Sequence, residues 1–186
     1  GKLSNKYAFG LSFVPMEVEL SELAAHIISG RAWTQGHFSE TRRAKDTFKS
    51  GQTLALDFDQ GNVSVESALK HPFIAQYAWL IHPSPSSTES FPKTRVVFVL
   101  SEPVDDYHRW EALQLGLLQH FQDLKPDAAC KDAARLFFGS DKPGWKLLDN
   151  TLPLSEAGSL TAVHAWTEKE FKERPAKTYA PDSSAG

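Results

Sequence analysis

The clearest alternation of apolar and polar positions lies at Leu54-Ala55-Leu56-Asp57-Phe58-Asp59. Side chains of a strand alternate between its faces, so Leu54, Leu56 and Phe58 share one face and Ala55, Asp57 and Asp59 the other. Lys93 to Leu100, with Val96-Val97-Phe98-Val99 in succession, predicts a central strand covered on both faces. Further strands are predicted over Tyr7–Val14, Ile74–His82 and Trp145–Leu148. Helical spacing predicts a helix over Met16–Ile28, with Ser21 as a cap inside it and Gly30 as its stop. A second helix, Glu40–Lys49, takes Ser39 as cap and Gly51 as closure. A short one, Ser64–Lys70, stops at His71-Pro72. Asp106 caps a longer helix that runs through Phe121 and buries Trp110, Leu113, Leu117, Leu118 and Phe121. Leu160–Phe171 reads as a closing helix. Arg31–Phe38, with Trp33, Gly36 and His37, reads as irregular, and Pro83–Pro92 as a polar, Pro-rich loop. Strands and helices intermingle throughout, which makes this an α/β chain with no internal repeat.

The 186 residues, 41% hydrophobic and 23% charged with net charge −3, suit one domain with a real core. No apolar run approaches the ~20 residues needed to span a membrane. The chain opens Gly1-Lys2-Leu3 without a signal-peptide pattern, and the missing initiator Met reads as trimming. A single cysteine, Cys130, excludes an internal disulfide and a Cys-rich zinc site, and points to a reducing, cytoplasmic location. The near-neutral balance argues against a wholly basic nucleic-acid coat but leaves room for a local basic groove. Residues 172–186 are charged and rich in Pro and Ser, and read as a disordered linker behind a folded unit over 1–171.

Three polar clusters carry candidate chemistry. Asp57 and Asp59 stand on one strand face about 6.5–7 Å apart. Like charges so close repel unless a cation sits between them, so removing both is expected to raise stability in metal-free buffer. Hard divalent ions take such oxygens, although a strand running into the turn Asp59-Gln60-Gly61-Asn62 explains the pair equally well. The second cluster is the Ser84–Ser87 loop leading to Arg95. The third is Asp127 with Lys131, Asp132 and Arg135. Three acids with basic side chains are the components of two-metal phosphoryl transfer, in which Lys and Arg neutralise outer phosphates. Arg95 as a strand-edge cation, Arg135 paired with Asp132, and His82 bonded to a backbone group remain open readings. Arg42, Arg43, Lys45 and Lys49 are either a solvated helix face or a phosphate-contacting, DNA-binding patch. There is no Walker loop and no His-x-His metal pair.

Taken together, these motifs resemble the catalytic domain of the archaeo-eukaryotic primase superfamily, and most closely the primase-polymerases of plasmids, phages and mobile elements. Asp57-Phe58-Asp59 is similar to the first motif of that family. Ser84-Pro85-Ser86-Ser87-Thr88, followed by Pro92-Lys93-Thr94-Arg95-Val96-Val97-Phe98, resembles the second. Asp127, Asp132 and Arg135-Leu136-Phe137 resemble the third. The likeness covers about residues 5–150. It departs in one place: family members commonly carry a nucleotide-binding His where this chain has Ser87, and the nearest His is His82.

The resemblance implies an α/β (α+β) primase-polymerase core, an N-terminal α/β unit packed on an RRM-like unit with the active site in the cleft. It implies template-directed nucleotidyl transfer, with Asp57, Asp59 and Asp127 as catalytic acids holding two Mg²⁺ or Mn²⁺. Ser86, Ser87, Arg95, Lys131, Arg135 and His82 become candidate nucleotide contacts. DNA template and primer, nucleoside triphosphates and a C-terminal helicase or primer-handling domain become expected partners. Two other classes compete. One is a replication-initiation module that binds nucleic acid without catalysis. The other is a cyclase-like or nucleotidyltransferase enzyme that needs no template.

Overall fold

The computed structural model describes residues 15–161. The predicted strand Tyr7–Val14, nearly all of the predicted helix Leu160–Phe171 and the 172–186 segment lie outside the described residues. In chain order the elements are α1 Leu20–Ile28, β1 Ala32–Trp33, β2 Gly36–Phe38, β3 Phe48–Phe58, α2 Val65–Leu69, α3 Pro72–Tyr77, β4 Leu80–Pro83, β5 Thr94–Val104, α4 Tyr107–His120, β6 Phe137–Phe138 and β7 Lys146–Leu147. Residues 154–161 are helical. β2-β3-β5-β4-β7 form one antiparallel sheet, and β1 pairs with β6 in a separate two-stranded ribbon.

The alternation in β3 divides the core as expected. Leu54, Leu56 and Phe58 join Val96, Phe98 and Ile81 under Trp110, Leu113 and Leu117 of α4 and Phe121 at its C-cap. Ala55 joins Leu80, Val97 and Val99 on the other face, beneath Ala24 and Ile27 of α1, Trp33, Phe137 and Cys130. β5 is thus central and covered on both faces. Asp106 caps α4 by accepting from Arg109 N at 2.7 Å, and Ser64 caps α2 by accepting from Ser67 N at 3.1 Å.

Several predicted elements are corrected. No helix forms over Glu40–Lys49. The chain bends through 39–44, makes a 3-10 turn at Lys45–Thr47 and enters β3 at Phe48. Thr47 Oγ1 donates to Arg42 O at 2.7 Å and accepts from Ala44 N at 3.2 Å, a local turn that competes with helix winding. Gly51 is no helix stop: it passes under Trp110, into whose ring a Cβ would run. His71-Pro72 begins a helix, α3, instead of only ending one, because proline is pre-set for the first helical turn. The strand predicted from Ile74 therefore starts at Leu80. α1 begins at Leu20, capped at Glu19 and not Ser21, with Glu19 N donating to Glu22 Oε2 at 3.3 Å. The stretch read as irregular supplies two short strands, β1 and β2.

β2 pairs β3 only from Phe48 to Gly51, and the rest of that edge is satisfied by side chains and one loop. Thr53 O accepts from Trp110 Nε1 at 3.2 Å and Ala55 O from Gln114 Nε2 at 2.7 Å. Ala55 N donates to Gln35 Oε1 at 2.6 Å. Asp57 O accepts from Asp127 N at 2.8 Å. Each buried backbone group needs a partner, and the last of these bonds draws the Asp127 segment alongside the end of β3.

Candidate active site

Sheet register assembles the site. Asp57 lies directly opposite Arg95 on β5, and Arg95 directly opposite His82 on β4, so the three form one row across the sheet. Asp57, Arg95 and His82 are 6%, 5% and 0% exposed. A buried carboxylate needs a counter-charge, and Arg95 Nη2 reaches Asp57 Oδ2 at 3.0 Å. Arg95 Nη1 donates to Phe138 O at 2.5 Å. Its guanidinium lies over the Phe137 ring, 4.7 Å from the centroid.

Asp127 caps the 3-10 turn Ala128–Lys131, its Oδ1 accepting from Ala129 N at 2.9 Å. Arg135 then spans both acids. Its Nη1 is 2.7 Å from Asp127 Oδ2 and its Nη2 3.3 Å from Asp57 Oδ2. Burial works to raise the Asp127 carboxyl, but the Ala129 amide and the Arg135 guanidinium outweigh it and hold the carboxyl below its usual range. Arg135 is shifted up: burial alone would lower it, and the acids around it prevail. Arg135 thus pairs with Asp127 and Asp57. Asp132, the alternative partner, turns its Oδ1 to Ala134 N at 2.9 Å.

The other predicted residues fall as follows. Asp59 sits half-buried one residue beyond β3, with no side-chain hydrogen bond or ion pair among the described residues. His82 donates from Nδ1 to Pro83 O at 2.9 Å, and its Nε2 is buried without a partner. Burial first, and then the Arg95 charge, push its imidazole down to about 4, so it is neutral at physiological pH. Ser86 is exposed. Ser87 Oγ accepts from Lys93 N at 2.9 Å and closes the loop. Lys131 is exposed at the end of its turn. Arg42 pairs with Asp46 at 2.7 Å, and Lys45 reaches Glu111 at 3.5 Å and lies over the Tyr107 ring. Arg43 donates to Ala134 O, which fastens this basic segment beside Arg135. Cys130 is buried, and burial pushes its thiol up to about 12, which makes it inert packing.

Sequence reasoning missed two contributors. Phe137 lies under both guanidinium groups, and Lys142 donates to Ser87 O. A Phe beside Arg135 in the third motif was a usable signal for the first. Nothing in the spacing of 87 and 142 announces the second.

Among the described residues, no three His, Cys, Asp or Glu side chains converge as metal ligands. The donor chemistry nevertheless fits a hard divalent ion, because Asp57 and Asp127 are carboxylates close enough for one cation to join them. That cation is the Arg135 guanidinium, so an ion shared by the two acids would have to take the place of Arg135. A groove of about 330 Å³ lined by Asn62, Ser67, His71 and Leu124 lies elsewhere and includes none of the three acids. No helix of the described residues is long and apolar enough to cross a membrane.

No protein-family model and no curated protein sequence matches the chain. Among solved structures, it is similar to the AEP (archaeo-eukaryotic primase) domain of the cyanophage S-2L primase-polymerase. The TM-score is 0.52 at 10% identity, over 77% of each chain. Identity that low speaks to fold alone, and the fold of this chain is that of an archaeo-eukaryotic primase-polymerase domain.

Proposed function

We propose that the chain is the catalytic domain of a DNA primase-polymerase, joining (d)NTPs to a growing strand under direction of a DNA template. The observation that carries this reading is the convergence, on a primase-polymerase fold, of Asp57 and Asp127 with the two guanidinium groups of Arg95 and Arg135. Polyphosphate chemistry calls for both kinds of group: carboxylates for a divalent ion, and fixed cations for phosphate oxygens. Asp57 and Asp127, with Asp59 beside them at the strand end, would hold Mg²⁺ or Mn²⁺. When bound, such ions neutralise developing phosphate charge and favour ionisation of an attacking hydroxyl. Arg135, released from the acids, stands where it can meet phosphate oxygens. Arg95 keeps Asp57 oriented from inside the sheet. Exposed Lys131 and the Arg42–Lys45 segment are the places for template phosphates. The folded unit would take in residues 1–171, with 172–186 leading to a helicase or primer-handling domain.

The test is nucleotide incorporation on primed and unprimed single-stranded DNA with Mg²⁺ or Mn²⁺. Template-directed products are expected from the wild type and none from Asp59→Ala, a variant that disturbs no described ion pair. One observation favours a second reading, a nucleic-acid-binding replication-initiation module: the two central acids are neutralised by arginines instead of grouped as ligands. DNA retarded in a gel with no incorporation under either ion decides for that module. Triphosphate turnover without template decides for a small-nucleotide enzyme.

A further inference from the structure

The outermost strands of the five-stranded sheet are β2 and β7. β7 pairs β4 with Leu147 opposite Leu80 and Lys146 opposite Ile81, and among the described residues no strand covers its other side. Opposite residues share a sheet face, so Leu147 stands on the face of Leu80, and Trp145, two residues earlier, stands on that face as well. Both side chains are exposed, and Leu147 belongs to neither core cluster. Lys146, exposed between them, points to the opposite face and has no acid partner among the described residues. An open sheet edge that carries apolar side chains is a template on which another strand can add.

A stretch of matching pattern lies just ahead of α1. Residues 15–19 are neither helix nor strand, and Glu19 is extended at φ −65° and ψ 151°. Met16, 70% exposed, is the most exposed large apolar side chain among the described residues, and Val18 is exposed too. Glu17, exposed between them, has no basic partner among the described residues. The backbone of residues 16–18 makes no hydrogen bond among the described residues. Apolar, acid, apolar at 16–18 is the complement of apolar, base, apolar at 145–147. Set side by side, Met16 and Val18 lie against Trp145 and Leu147 on one face, and Glu17 meets Lys146 on the other. The match holds for parallel and antiparallel addition, because the central residues pair in both. A slip by one residue would set Glu17 against an apolar neighbour, so the pattern specifies the register. Within one chain the two stretches are not paired, which leaves each open to the other on a second copy.

We propose that the open edge of β7 docks residues 16–18 of a second copy of this chain, and that the exchange is reciprocal about a two-fold axis. A one-way contact would repeat into open chains, whereas reciprocity closes it at a dimer. The contact is short, so the dimer is weak and forms as concentration rises. Sedimentation velocity on the full chain over a concentration series tests this, and the wild type is expected to pass from monomer to dimer. Glu17→Lys and Lys146→Glu should each weaken the dimer by about tenfold, since each sets like charges opposite one another at both contacts. Leu147→Ser should also weaken it, with the melting temperature unchanged, because that side chain lies outside both core clusters. The deciding sample is an equal mixture of the Glu17→Lys and Lys146→Glu chains. In a mixed dimer opposite charges face each other again at both contacts, so association should return to nearly the wild-type level. A mixture no better associated than its two components would put the dimer on another surface and overturn the proposal. Growth of the wild type past a dimer would overturn the two-fold exchange. A wild type that stays monomeric throughout would overturn it as well, and dimerisation that then appears only on removal of residues 1–14 would assign the edge to the chain's own N-terminal stretch.

Discussion

Asp57 is a charged side chain almost without solvent, held by two guanidinium groups on one oxygen. Sequence reasoning expects relief when the Asp57/Asp59 repulsion is removed, and the ion pairs reverse that sign. Asp57→Ala strands Arg95, itself 5% exposed, without a counter-charge. Breaking one side of a buried pair costs about 3–5 kcal/mol, so urea unfolding of Asp57→Ala should show a loss of that order. Asp57→Leu combined with Arg95→Met replaces both charges with apolar volume and should recover much of it, which a double-mutant cycle measures. His82 makes a separate prediction in pH. Folded, its imidazole titrates at about 4; unfolded, near 6.5. Between those values the unfolded chain binds more protons, so stability rises with pH through this window and is fully present above about 6.5. The linked energy is on the order of 3 kcal/mol. His120 is also lowered, by burial first and then by His71, and adds to the slope. Comparison with His82→Asn isolates the larger part: its denaturant midpoint should change less between pH 4.5 and 7 than that of the wild type.

Among the elements, β3, β5 and α4 were legible because each carries its own pattern. β3 alternates, β5 is a continuous apolar run, and α4 has both a cap and a buried stripe. The Glu40–Lys49 stretch was misread because Ser39 and Gly51 look like its cap and stop, while a local turn at Thr47 and two tertiary contacts shape it: Trp110 against Gly51, and Arg43 on Ala134 O. The acids themselves were legible as an unusual pair in an apolar strand. Their arginine partners were not, since register alone places residue 57 opposite 95 and one loop brings 135 across. The 137–142 segment was opaque for the same reason, and it carries a prediction. A Cβ on Gly139 would fall on Ile27 O and Arg31 O, main-chain atoms that cannot turn aside. Gly139→Ala should lift the segment from α1 and displace both the Arg95 acceptor and Lys142. The expected outcome is a lower melting temperature together with faster amide exchange at Ser140, and weakened nucleotide binding if the site functions as proposed.

For the molecule as a whole, the outer side of β3 has a consequence for solution behaviour. A strand with unpaired amides and carbonyls is a template on which another chain can add itself. Among the described residues no strand pairs that side of β3 beyond Gly51, yet Gln35, Trp110, Gln114 and the Asp127 amide occupy its backbone groups. The Asp127 amide that brings the two acids together, with the side chains beside it, therefore also occupies the groups on which another copy could add. Substituting Gln35→Leu and Gln114→Leu together should leave apolar packing largely intact but bare the Ala55 amide and carbonyl. Light scattering at rising concentration should then report self-association past a dimer, which the wild type does not show, and aggregation would be the first symptom of a change made beside the Asp57–Arg135 network.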